Sequence, residues 1–150
     1  MLCEIIVVRV VVQMAIIKTY SELCKLKTFE ERFEYLRLDG EVGLETFGFD
    51  RYFNQKFYKS KEWLHSRDNV IIRDDGYDLG IEDYEIRGRI IVHHLNPITL
   101  DDIEKQTELL LNPEYLITTA HATHNAIHYG DITLLDNPII ERRANDTRLW

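Results

Sequence analysis

A chain of 150 residues is long enough for one domain with a real core, and 45% hydrophobic with 29% charged residues is an ordinary soluble composition. Two cysteines, Cys3 and Cys24, are too few for a four-cysteine zinc site and point to a reducing compartment, so a cytoplasmic location is expected. The formal net charge of −8 excludes a uniformly basic nucleic-acid binder, whose affinity rests largely on neutralising phosphates.

The opening run MLCEIIVVRVVVQ is apolar but broken by Glu4 and Arg9. It is far shorter than the ~20 apolar residues that span a bilayer and lacks the basic start and cleavage site of a signal peptide, so no membrane partner is expected. It reads either as an added edge strand or, preferably, as an upstream extension from a misplaced start. Thr19 to Leu38 should be helical in two pieces. Ser21 would cap the first, and Thr28 with Glu31 forms a capping box for a helix with Phe29, Phe33 and Leu36 on its core face. The stretch 39–48 holds three glycines and reads as a loop. Phe49 to Tyr58 interleaves five aromatics with Arg51 and Lys56; such a pattern can stack on bases, but packing onto the core is the preferred reading.

Ser60 should cap a helix that turns Trp63, Val70 and Ile71 inward and leaves Lys59, Lys61, Arg67 and Arg73 partly outward. Between Asp50 and Arg73 there are six basic residues against three acidic ones, the only sizeable basic patch before the tail. Asp74-Asp75-Gly76 is a turn signal, and Ile81 to Arg87 alternates acidic with apolar residues.

Five of the six histidines lie between Arg89 and His128, and that clustering is the strongest functional signal in the chain. Arg89 to Val92 is β-branched, follows Gly88 and is closed by Pro97, so His93 and His94 fall at a strand end, where consecutive side chains point to opposite sides. Thr99 to Leu111 begins with a Thr cap and an acidic first turn and reads as a helical insert. Tyr115 to Thr118 is a second strand, and Thr119 is expected to cap a helix from Ala120 to His128. On that helix His124 and His128, at i and i+4, share one face about 5–6 Å apart, a gap that one metal ion can bridge. His121 sits off that ligand register, and the lone His65 reads as exposed or structural. Beyond residue 130, Pro138 ends any regular element, and Arg142, Arg143 and Arg148 make a basic tail, read as a frayed terminus in preference to a second DNA contact.

Strand with paired histidines, loop, strand, then a helix with HxxxH resembles the HNH endonucleases of the ββα-metal (His-Me finger) superfamily. The residues that carry the resemblance are HHLNP at 93–97, PEYLITT at 113–119 and HNAIH at 124–128, preceded by KEWLHSRDNVIIRDDGYDLG at 61–80. It covers roughly residues 60 to 130, and from Met14 onward the chain is similar to small phage-encoded HNH proteins. The resemblance implies an α+β fold in which a mainly helical N-terminal part (14–58) packs on an HNH core (59–130) that has a helical insert between its two strands, with 1–13 as an extension and 131–150 as a tail. It implies one divalent metal ion, of identity open among Mg²⁺, Mn²⁺, Ni²⁺ and Zn²⁺, on His93, His124 and His128, and His94 as general base. DNA is the implied partner, through Lys59, Lys61, Arg67 and Arg73, and the implied activity is metal-dependent phosphodiester hydrolysis. A non-catalytic metal- or DNA-binding module, such as a phage packaging accessory, is the alternative. The chain departs from the family pattern at two places. The asparagine that orients the base is replaced by Tyr115, with Asn112 and Asn125 out of register, so His121, Tyr115 and Asn125 become the residues expected around the site. The positions of two zinc-binding CxxC pairs are Tyr77, Gly80, Ala120 and Thr123, which implies a zinc-free branch held by packing.

Overall fold

The structure, a computed structural model, describes residues 16–38 and 51–135. The apolar run 1–13, the glycine-rich stretch 39–48, and the proline and arginines of the tail lie outside the described residues. Among the described residues the chain is mixed α+β, with seven α-helices and two small antiparallel sheets.

Polar caps start most of the helices. Thr28 and Glu31 exchange both bonds of a capping box at α2 (Phe29–Leu36), and Ser60 accepts from Trp63 N at α4 (Lys61–Arg73). For α1 (Tyr20–Leu23) the cap is Thr19 rather than Ser21: Thr19 has the extended backbone that a cap needs, whereas Ser21 is already inside the helix and its N–H donates to Glu114. Helix α3 (Arg51–Tyr58) precedes α4 and sets Phe57 against Trp63. After α4 the chain reverses through Asp75 and Gly76, both in the left-handed region that Asp and Gly tolerate. It enters β1 (Tyr77–Asp78), which pairs with β2 (Tyr84–Glu85).

The second sheet positions the histidines. Strand β3 (Ile90–His94) runs antiparallel to β4 (Leu116–Ala120), with His93 opposite Ile117 and His94 opposite Leu116. The expected insert between them is two short helices, α5 (Leu100–Lys105), begun by a Thr99–Asp102 capping box, and α6 (Glu108–Leu111). Helix α7 (His121–Tyr129) follows β4 directly and stops at Gly130, whose φ of 63° suits the residue after a helix. Thr119 does not cap it: Thr119 belongs to β4, its hydroxyl reaches Ile91 O, and the cap position is Ala120.

β4 lies between two apolar layers, and its period of two divides its side chains between them. Leu116 packs with Trp63 and Val70 beside α4, and Ile117 packs with Leu23, Leu36, Leu95 and Ile127 beside α7. Fully burying each of these contributes about 1.5–3 kcal/mol, so the sheet is fixed from both faces. No helix among the described residues is long and apolar enough to cross a membrane.

Candidate metal centre and adjoining cleft

His93 ends up on the face of β3 that meets α7, where the one-turn spacing of His124 and His128 presents both rings to it. One ring nitrogen from each of the three lies within 4.8 Å of the others, and His124 Nε2 and His128 Nε2 are 2.9 Å apart. Two nitrogens bound to one ion at about 2.0–2.1 Å sit roughly 3.3 Å apart in tetrahedral geometry, so small ring rotations bring this set to a single ion. His93 Nε2 is buried without a hydrogen-bond partner, one of two such side-chain atoms among the described residues. A buried polar atom normally has a partner, and this one lies in the three-histidine set. Burial, together with its histidine neighbours, holds His93 well below the usual imidazole value. Burial lowers His128 to about 4, with His124 adding to it, and also lowers His124. All three are therefore neutral near pH 7, the form that ligates. This donor set fits one divalent ion and leaves coordination positions open.

His94 points to the opposite face, as alternation requires. Its ring stacks on Trp63 at 5.1 Å between centroids and 19° between planes, with Phe57 and Tyr58 around it. Burial drops its pKa to about 4, opposed by a hydrogen bond to a backbone carbonyl. That carbonyl is Leu110 O of the insert, 3.1 Å from Nε2. A carbonyl only accepts, so the neutral ring carries its proton on Nε2 and leaves Nδ1 as the proton acceptor. Tyr115, which stands where the HNH resemblance expects an orienting asparagine, accepts from Leu95 N through its backbone carbonyl. Asn125 lies 3.4 Å from the exposed His121 and also hydrogen-bonds to His124, so both adjoin the three-histidine set as expected. His65 is exposed, beside Asn69.

Asp78, which sequence reasoning passed over, ties the start of α7 to the first hairpin. It is 1% exposed, and its carboxylate accepts from Gly80 N, Ala120 N and Thr123 Oγ1 at 2.8, 2.9 and 2.5 Å. Three of the four positions where the HNH resemblance expects zinc cysteines, Gly80, Ala120 and Thr123, are thus joined by one carboxylate. Contact is so close that a Cβ on Gly80 would sit 2.6 Å from the Thr123 methyl. Burial raises the Asp78 pKa, and hydrogen bonds from Thr123, Ala120, Gly80 and Ile81 oppose that rise. The joint loss of the cysteines was the available signal that something else must hold these loops.

The four basic residues expected to face DNA separate into two groups. Lys59 and Lys61 are exposed and Arg67 is partly so, paired with Asp68. Arg73 is not an outward cation. Its guanidinium makes two bonds to Asp74 and one each to Pro113 O and Leu116 O, and it lies over the Tyr20 ring. The reason is positional: as the last residue of α4 it meets the outer edge of β4, whose backbone groups need partners. Asp74 serves the same edge by accepting from Thr118 N. Arg67 instead lines a cleft of about 430 Å³ together with Arg89, Tyr58, Trp63, His124 and strand residues 90–92. Arg89 carried no functional expectation from the sequence beyond starting a strand. No protein-family model, no curated protein and no solved structure matches the chain.

Proposed function

We propose that this protein is a metal-dependent endonuclease of the HNH type that hydrolyses phosphodiester bonds in DNA. The observation that carries the reading is the convergence of His93, His124 and His128, with His93 Nε2 buried and unpartnered among them. A divalent cation held by those three nitrogens would polarise the scissile phosphate and stabilise the departing 3′ oxygen. The remaining chemistry belongs to the chain. His94 Nδ1 takes the proton of the attacking water, and Leu110 O fixes the tautomer that makes this possible. The cleft runs from Tyr58 and Trp63, whose rings pack against His94, to His124, so it joins the surroundings of the base to the three-histidine set. DNA is the partner in this reading, with Lys59, Lys61 and Arg67 as phosphate contacts.

A specific observation favours a second reading, a non-catalytic metal- or DNA-binding module such as a phage packaging accessory. The aromatic enclosure of His94 restricts water at the base. A plasmid-nicking assay with Mg²⁺, Mn²⁺, Ni²⁺ or Zn²⁺ separates the two. Cleavage lost in His94→Ala with metal and DNA binding intact supports the enzyme. Equal rates in wild type and His94→Ala favour the module.

A further inference from the structure

The cleft beside β3 has a chemical character opposite to that of the molecule. The chain carries 26 Asp and Glu residues and a net charge of −8, yet among the described residues no carboxylate lines this cleft, whereas two arginines and a histidine do. Arg67 comes from α4 and Arg89 from the residue just before β3, so the two guanidiniums reach it from different elements. Neither is committed elsewhere in the way Arg73 is. Arg67 has an exposed partner, Asp68, at 3.1 Å, a pairing of the kind worth little and readily exchanged. Arg89 is exposed.

Strand register adds backbone donors. Leu116, Thr118 and Ala120 direct backbone groups outward to Arg73, Asp74 and Asp78, so β4 bonds β3 through Ile117 and Thr119. Alternation in an antiparallel pair then turns the N–H groups of Ile90 and Val92 away from β4, toward the edge that has no strand partner among the described residues. That edge forms the cleft wall. Tyr58, 44% exposed, supplies an aromatic surface at its rim. Guanidiniums, N–H groups with no strand partner among the described residues and an aromatic face are the groups that hold a phosphate and the sugar or base attached to it.

We propose that this cleft is a nucleotide subsite in which Arg67 and Arg89 grip the backbone phosphate next to the one at the three-histidine centre. His124, which both lines the cleft and belongs to that centre, places the two phosphates side by side. The volume, about 430 Å³, suits one nucleotide unit. The proposal rests on the nuclease reading for its biological meaning but is tested without cleavage.

The test titrates the metal-free protein, in chelator, with deoxythymidine 3′,5′-bisphosphate and in parallel with inorganic phosphate, followed by amide NMR at two salt concentrations. The bisphosphate should shift the amides of residues 90–92, and Arg67→Gln and Arg89→Gln should each weaken it about tenfold and lower the salt slope by about one. Both arginines are at the surface, so the variants should melt as wild type does. Unchanged affinity in both variants, shifts confined to other surfaces, or inorganic phosphate binding as tightly as the bisphosphate would each overturn the proposal. If the bisphosphate binds as described but no metal supports nicking, the enzyme reading fails and the subsite stands. If nicking occurs while both variants bind as wild type does, only the subsite fails.

Discussion

The Asp78 carboxylate accepts from Gly80 N, Ala120 N and Thr123 Oγ1, so its removal strands three donors at the start of the helix that carries His124 and His128. Buried hydrogen bonds to a charged group are worth about 1.5–3 kcal/mol each and do not add fully. Asp78→Ala should therefore lower unfolding free energy by about 2–4 kcal/mol in urea melts. Because α7 loses the side-chain tether at its cap, metal affinity should fall about tenfold or more in the same variant. Wild-type stability and wild-type metal affinity in Asp78→Ala would refute both roles. The imidazoles make a prediction about pH. Folded pKa values of about 4 for His94 and His128 lie below the unfolded value of about 6.5, so the unfolded chain binds more protons in acid. The stability they contribute is complete above about 6.5 and is lost as pH falls from there through about 4. Melting temperatures of the metal-free protein should decline over that window, and His94→Gln should flatten the decline. A profile level down to pH 4 would refute it.

At the scale of elements, β4 is held by two different devices. β3 pairs with its inner edge, while its outer edge is closed by side chains of Arg73, Asp74 and Asp78 and by the Leu79 N–H donating to Thr118 O. Arg73→Ala would leave the Asp74 carboxylate, with no exposed side-chain surface, without its guanidinium, and breaking such a pair costs about 3–5 kcal/mol. Arg73→Lys should recover only a small part, since one ammonium cannot serve Asp74, Pro113 O and Leu116 O together. Chemical denaturation of both variants checks this, and a near-neutral Arg73→Lys would show that charge alone suffices. This edge also marks where the sequence stops being informative. The capping boxes at Thr28 and Thr99, the strand with paired histidines and the HxxxH helix all follow from spacing within a few residues, and they can be read locally. Arg73 looked like one more cation on a basic helix because the two carbonyls it serves lie about 40 residues away in the chain. Thr119 looked like a cap for the same reason, since Asp78, the residue that tethers α7, comes from another hairpin. The chain shows no local pattern for bonds made between distant segments, so the three-histidine set was legible, as was a carbonyl of the insert or of the Tyr115 region on His94, met by Leu110 O, while the tethers made by Arg73 and Asp78 were not.

At the scale of the whole molecule, the proposed ligands join β3 to α7, and those elements anchor the core on both sides of β4. An ion bound across them binds only the folded chain, so it stabilises by RT ln(1 + [M]/Kd), about 2.7 kcal/mol at a hundredfold excess over Kd. For a chain of this size each kcal/mol moves the melting temperature by about 2–4 °C, which predicts a rise of roughly 5–10 °C with a saturating divalent ion. The shift should grow with the logarithm of metal concentration and be reversed by chelator. His93→Ala and His128→Ala should abolish it, since two imidazoles hold an ion far more weakly than three. His94→Ala should keep it, because His94 lies on the other face of β3 against Trp63. Thermal melts with Zn²⁺, Ni²⁺, Mn²⁺ and Mg²⁺ in turn read all of this without any assay of activity. The borderline-soft ions should give the largest shifts, because three neutral nitrogens suit them better than they suit Mg²⁺. A shift of equal size in wild type and His93→Ala would place the ion elsewhere and remove the three-histidine centre from the account. No shift with any of the four would leave His93 Nε2 as an unsatisfied buried atom without a function.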